Sequence, residues 1–214
     1  MAIDAQKSNV SARNEQPVYR VLAEHQCAEP WELQDVLCKL LPWADTFNGE
    51  FKLEVPNVSL CVDWLSRNRY GHFRPGHNGF GLRNEIAINR RSLGEREFWQ
   101  VLGTLLHELL HAHQEAHGRP GKGNYHNVAF RKKAQEYGLI VDARGYTQYA
   151  PESLFLDLLA KHWVQVPSIP SPVVKLRGSS KLKKWTCGCT NVRVAVAEFH
   201  AKCLKCGNLF VQEA

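Results

Sequence analysis

The chain has 214 residues, 44% hydrophobic and 22% charged, enough for one domain of ordinary size with a small appendage. No run of 18 apolar residues occurs and the first ten residues lack an apolar core of signal-peptide length, so neither a membrane span nor a secretory leader is expected. The formal net charge of +6 is unevenly placed: Val173 to Ala214 carries eight Lys or Arg against two Glu, whereas residues 1–172 balance at 19 of each sign, so the excess points to a polyanion rather than to general solubility.

Residues 1–17 are polar and are expected to be disordered. Pro30 can open a helix, and Trp31, Leu33, Val36, Leu37, Leu40 and Leu41 give it an apolar stripe that ends before Pro42. Val58 to Trp64 reads as a strand and Tyr70 to Phe73 as a second. Pro75 to Gly81 reads as a turn or flexible loop, and Asn84 to Asn89 as a third strand with Ile86 and Ile88 alternating. Strands followed by helices predict an α+β arrangement, a small antiparallel sheet packed on helices. The third strand is a candidate for an exposed edge along which an extended peptide pairs; an internal strand is the alternative.

Phe98, Leu102, Leu105, Leu106, Leu109 and Leu110 recur at steps of three and four and predict a helix. Ser92 with Glu95 fits a capping box, which starts that helix near Leu93; Gly118 to Gly121 stops it after His117. Within it lies His107-Glu108-Leu109-Leu110-His111. Positions four apart stand one turn above each other on one face, so His107 and His111 can offer two imidazole nitrogens to one metal ion. Glu108 is rotated by about 100° and can work on a metal-bound water without being a ligand. Two imidazoles and an adjacent carboxylate are parts of a zinc hydrolase, which needs a third protein ligand and an open fourth position.

Three residues are candidates for the third ligand. His117 gives a spacing close to the metzincin pattern, but Gln114 stands where that pattern needs Gly, and the only Met is Met1. Glu136 lies among Lys132, Lys133 and Tyr137 and reads as a solvated helix face. His126 is preferred. It sits at the start of a second helical pattern ending at Gly138, with Phe130 one turn on to pack inward, and the glycines from Gly118 to Gly123 let this helix fold back on the first. Tyr70 and His72 are weaker candidates for an electrophile near the site.

Leu139 to Val141 then reads as a short strand and Pro151 to His162 as a helix. Val166 to Pro172 is a Pro-rich linker, and Lys175, Arg177, Lys181, Lys183 and Lys184 form a basic arm. Cys187, Cys189, Cys203 and Cys206 look like a zinc ribbon: four thiolates close a tetrahedron, leave no open position and make that zinc structural. Lys183, Lys184, Trp185, Arg193, Lys202 and Lys205 are candidate nucleic-acid contacts, with Trp185 a base-stacking surface. An odd total of seven Cys, with Cys27, Cys38 and Cys61 scattered, suits metal binding in a reducing compartment better than a disulfide framework. The expected organisation is a disordered stretch over 1–17, a metal-binding domain over 18–164, a Pro-rich then basic linker over 165–184, and a ribbon over 185–214.

His107-Glu-Leu-Leu-His111-Ala, a loop and His126-x-x-x-Phe130 resemble the SprT-like zinc metalloproteases, as do Tyr70-Gly-His-Phe-Arg74, Glu85-Ile-Ala-Ile-Asn-Arg90 and the terminal cysteines. The likeness covers roughly residues 30–214. It implies a zincin-like domain and a zinc-dependent endopeptidase acting on DNA-associated proteins, with one catalytic and one structural zinc. Catalysis would fall to Glu108, and DNA contact to the basic linker and ribbon. A cytoplasmic protein with access to the genome follows; the oligomeric state is not encoded in any motif. The rivals are a non-catalytic zinc-containing nucleic-acid-binding module, which gives no reason for a glutamate beside two helical histidines, and a zinc peptidase without a DNA link. Salt-dependent DNA binding separates the last from the DNA-linked reading.

Overall fold

The computed structural model describes residues 18–169 and 182–213, which divide between two units, Met1–Pro172 and Val173–Ala214. The first is α+β. Helix α1, Val18–Ala28, has no buried residue and was not foreseen from the apolar pattern; Tyr19 anchors it by donating to the Arg83 carbonyl and accepting from the Arg83 N–H. Helix α2, Gln34–Glu50, continues through Pro42 instead of ending before it. A proline inside a helix forfeits one backbone bond; here burial of Leu37, Leu40 and Phe47 in the core outweighs that loss. Cys27 and Cys38, read as scattered, are joined as a disulfide that ties α1 to α2 across a Cα separation of 5.7 Å. This pair departs from the preference for metal binding over disulfides, whereas Cys187, Cys189, Cys203 and Cys206 are free thiols grouped so that they could hold a metal.

Strands β1 (Ser59–Asp63), β2 (Gly71–His77) and β3 (Arg83–Asn89) form one sheet in the order β1-β3-β2. It is mixed, not antiparallel: β1 runs parallel to β3 and β2 antiparallel to it. The third strand is thus the central one, with Ile86, Ala87 and Ile88 buried, and β2 is an edge strand among the described residues. Strand β2 also takes in Pro75 to His77, where the register shifts.

Helix α3, Phe98–His117, packs on this sheet and is buried along most of its length, with Leu102, Leu105, Leu106, Leu109 and Leu110 at 1% exposure or less. It starts five residues later than Leu93. Ser92 lies in a 3-10 turn and donates to the Asn89 carbonyl, and the cap is Glu97, whose N–H donates to Gln100 Oε1. Helix α4, Val128–Glu136, is capped by Asn127, which accepts from the Phe130 N–H at 2.9 Å. The hairpin β4 (Leu139–Val141) and β5 (Thr147–Tyr149) and helix α5 (Leu154–Lys161) complete the unit.

In the second unit β6 (Lys183–Thr186) lies between β7 (Asn191–Val194) and β8 (Val211–Gln212). Trp185, Phe199 and Phe210 form its small aromatic centre. The predicted disordered stretch over 1–17 and the basic-arm residues Lys175, Arg177 and Lys181 lie outside the described residues. No helix among the described residues is long and apolar enough to cross a membrane.

Asn89, 1% exposed, holds the loop between β1 and β2 to the start of the 3-10 turn. Its side-chain oxygen accepts from Leu65 and Arg91 N–H groups, and its amide donates to the Ser66 and Arg69 carbonyls. Asn89→Ala leaves those groups without partners and should cost about 2–4 kcal/mol by urea denaturation. Hydrogen exchange should rise over residues 65–70; an unchanged denaturation midpoint would contradict the role.

Candidate metal centre

The helical spacing of His107 and His111 places both rings on the same flank of α3, and the loop that follows brings in His126 after eight residues. The three Nε2 atoms converge: His126 Nε2 lies 2.9 Å from that of His107 and 3.1 Å from that of His111. Tetrahedral zinc with Zn–N bonds of about 2.0–2.1 Å sets neighbouring donors roughly 3.3 Å apart, so the donor set fits one small cation. His126 stands at the start of the second helical segment, just before the cap residue Asn127. Asn127 is also the acceptor for Gln114 Nε2 at 3.0 Å, which ties the His126 turn to α3.

Phe130 forms the floor. Its ring centroid is 4.1 Å from that of His111, stacked, and about 5 Å from those of His107 and His126. Burial against this floor pushes the His107 imidazole down to about 3, aided by the charge of His126. It pushes His111 down to about 2, aided by His107 and His126, and lowers His126 as well. Neutral imidazole is the form that ligates metals, so the folded chain presents three ready donors without a proton to displace.

Glu108 is buried beside them. Burial raises its carboxyl to about 8; the Phe73 N–H and the Arg69 guanidinium oppose that rise. A buried carboxylate next to three convergent imidazoles in a cleft is the pattern of a functional site rather than of a structural ion pair. Gly71 makes this approach feasible, because a β-carbon there would lie 2.7 Å from Thr104 Cγ2 and 2.8 Å from Glu108 Oε1. The histidines and Glu108 line a cavity of about 510 Å³ together with Tyr70 and His72, the two sequence candidates for an electrophile.

The β4–β5 turn supplies residues that no motif announced. Thr147 Oγ1 lies 3.2 Å from His107 Nδ1 and also donates to the Gly145 carbonyl. With Nδ1–H donating to this hydroxyl, His107 keeps Nε2 free for a metal. Gly145, at φ +87°, sits against His126, where a β-carbon would fall 2.5 Å from Cε1. Asp142 closes the turn by accepting from the Arg144 and Tyr146 N–H groups. An Asp-to-Gly turn signature was present, but nothing linked it to the metal.

The other two candidate ligands are engaged elsewhere. His117 Nε2 is 2.8 Å from the Glu54 carbonyl, and Glu136 pairs with Lys133 on the surface.

In the second unit the Sγ atoms of Cys187, Cys189, Cys203 and Cys206 lie within 4.8 Å of one another. Gly188 and Gly207 adopt positive φ in the two tight turns, and backbone N–H groups of Cys206 and Lys205 lower the Cys203 thiol. Four sulfurs at this spacing fit one tetrahedral cation with Zn–S bonds of about 2.3 Å. Of the candidate nucleic-acid contacts, Lys183, Arg193, Lys202 and Lys205 are exposed, while Lys184 pairs with Glu213. Trp185 is half-buried with its ring edge-on to Phe199, so it packs the interior and does not present a free stacking face.

No protein-family model matches the chain, and no curated protein matches it.

Two outcomes follow. Below about pH 6.5 the imidazoles of the unfolded chain take up protons that the folded ones refuse. Metal-free Glu108→Gln protein should therefore lose stability as pH falls from 6.5, on the order of 1.4 kcal/mol per pH unit for each such histidine; the substitution removes the opposing gain from Glu108, whose raised carboxyl takes up a proton only in the folded chain over the same range. Urea midpoints at pH 7.5 and 5.5 check this, and a midpoint that holds or rises at the lower pH contradicts neutral burial. Thr147→Val should weaken zinc binding at the histidine site by about 10- to 100-fold in chelator competition; unchanged affinity would remove Thr147 from the site.

Proposed function

We propose that the protein is a zinc-dependent endopeptidase of SprT-like type, with a zincin-like catalytic domain and a zinc ribbon, acting on DNA-associated proteins. The observation that carries the reading is the convergence of three neutral imidazoles at the edge of a cleft beside one buried carboxylate. His107, His111 and His126 would hold the catalytic zinc, and Cys187, Cys189, Cys203 and Cys206 the structural one. A bound zinc supplies Lewis-acid polarisation of the scissile carbonyl and of the attacking water.

The protein's own groups do the rest. Glu108 takes the proton of the water that attacks the carbonyl carbon and gives it to the amine that leaves. The Phe73 N–H holds that carboxylate in place, and its high intrinsic proton affinity in the buried site suits it to both halves of the transfer. Strand β2 is an edge strand among the described residues and contributes Gly71 and His72 to the cleft; Asn124 and Glu108 occupy the carbonyl and N–H of Phe73, so an extended peptide would align along the rest of β2 in place of the central β3. Lys183, Arg193, Lys202 and Lys205 are available to DNA phosphates on the second unit. The DNA link and a cytoplasmic location rest on the family likeness and on the basic terminal region. A non-catalytic nucleic-acid module leaves the buried Glu108 without a purpose.

Glu108→Gln should retain the fold and two zinc ions per chain while cleavage of an unstructured protein substrate falls by about 10²- to 10⁴-fold. Metal analysis beside a gel-based cleavage assay checks this. Cleavage at the original rate would take the proton-transfer role away from Glu108.

A further inference from the structure

The charges around the cleft are not balanced. Arg69, Arg96, Lys122 and Arg144 line it, and the only carboxylate among the described lining residues is Glu108. None of the four cations has an ion-pair partner among the described residues. Asp142 and Glu85 lie outside the lining, and their charges reach only its rim, at His126 and His72; Asp142 also accepts the N–H groups of its own turn. The cations come from both sides. Arg69 and Arg96 stand on the wall formed by the start of β2 and the first turns of α3, and Lys122 and Arg144 on the loops that frame His126.

Arg96 is held rigidly. One guanidinium nitrogen donates to Thr104 Oγ1 at 2.7 Å, another to the Gln100 carbonyl at 2.9 Å, and the group lies 4.1 Å above the Tyr70 ring. Thr104 is one helical turn before Glu108, so this fixed positive charge is placed beside the proposed reacting group. Thr104, Gln100 and Tyr149 take hydrogen bonds from it, so it acts on a carboxylate as a fixed positive charge, immobilised in advance at little entropic cost. The same field repels lysine- and arginine-rich segments.

We propose that the cleft selects acidic segments of its protein substrates, with Asp or Glu side chains seated between Arg69 and Arg96 on one wall and Lys122 and Arg144 on the other. This rests on the peptidase reading for its consequence in catalysis but not for its binding component. It also narrows the substrate class: a DNA-associated protein would be cut in an acidic tail or loop, not in the basic surface that faces the phosphates. A nucleic-acid strand is the rival polyanion, but it would offer no peptide bond to the convergent histidines and Glu108.

The test uses the full zinc-loaded chain and three peptides of equal length, one rich in Glu and Asp, one with Gln and Asn in their place, and one with Lys. Binding is read by fluorescence anisotropy on Glu108→Gln protein, and cleavage on the unmodified protein. The acidic peptide should bind and be cut about tenfold better than the neutral one, with the Lys peptide worst, and the gap should narrow as salt rises. Lys122→Gln with Arg144→Gln, both on exposed loops, should lower the acidic-to-neutral ratio; Arg96→Gln should lower it through loss of the fixed charge. Equal handling of the three peptides, no binding of any, or a ratio untouched by these substitutions overturns the proposal. So does a single-stranded oligonucleotide that binds where the acidic peptide does not. Selective binding of the acidic peptide without any cleavage would sink the peptidase reading and leave the charge selection standing. Indiscriminate cleavage would do the reverse.

Discussion

Keeping three imidazoles uncharged and mutually close in a nearly dry part of the molecule is the constraint on which the rest of this structure depends. Polar groups taken from water cost free energy unless something replaces the lost hydration. Here Phe130 lies under all three rings, and α3 is buried along most of its length. The rings cannot relax outward, and protonation is suppressed. Such a site is costly to the fold without a metal and is stabilised by one, because binding to the native state alone adds directly to its stability.

Four separate segments meet that constraint. Helix α3 supplies two ligands and the carboxylate from one rigid rod. The turn before α4 supplies the third, fixed by Asn127 to Gln114. The β4–β5 turn presses Gly145 against His126 and sets Thr147 on His107. The start of β2 brings Gly71 against Thr104 and Glu108, and Asn89 keeps the preceding loop, with Arg69 and Tyr70, in register. Precision comes from these neighbours more than from the ligands, as expected where outer partners orient the inner ones.

Local periodicity made the parts that depend on local spacing legible. The His107–His111 pair needs only the helical repeat, and His126 could be chosen because Phe130 four residues on must face the same interior. The Cys pairs are readable for the same reason. What was missed depends on long-range pairing. Nothing in Asn84 to Asn89 says that β3 lies between β1 and β2, so the sequence leaves edge and internal strand both open, and the pairing makes it internal. Thr147 and Arg96 acquire meaning only when hairpin and helix meet. Helix α1 buries no residue fully and so leaves no apolar signature, Pro42 was read as a stop although packing overrides it, and the Cys27–Cys38 pair is set by how α1 turns into α2. Trp185 reads as a surface ring in the sequence because its partner, Phe199, lies far along the chain.

The most direct test of the central claim is an anomalous-difference map at the zinc edge from crystals of the full chain. A single strong peak about 2.0–2.1 Å from Nε2 of His107, His111 and His126 is the predicted result. Density that leaves His126 out of the coordination sphere, or no peak among the three rings in zinc-containing crystals, would contradict it.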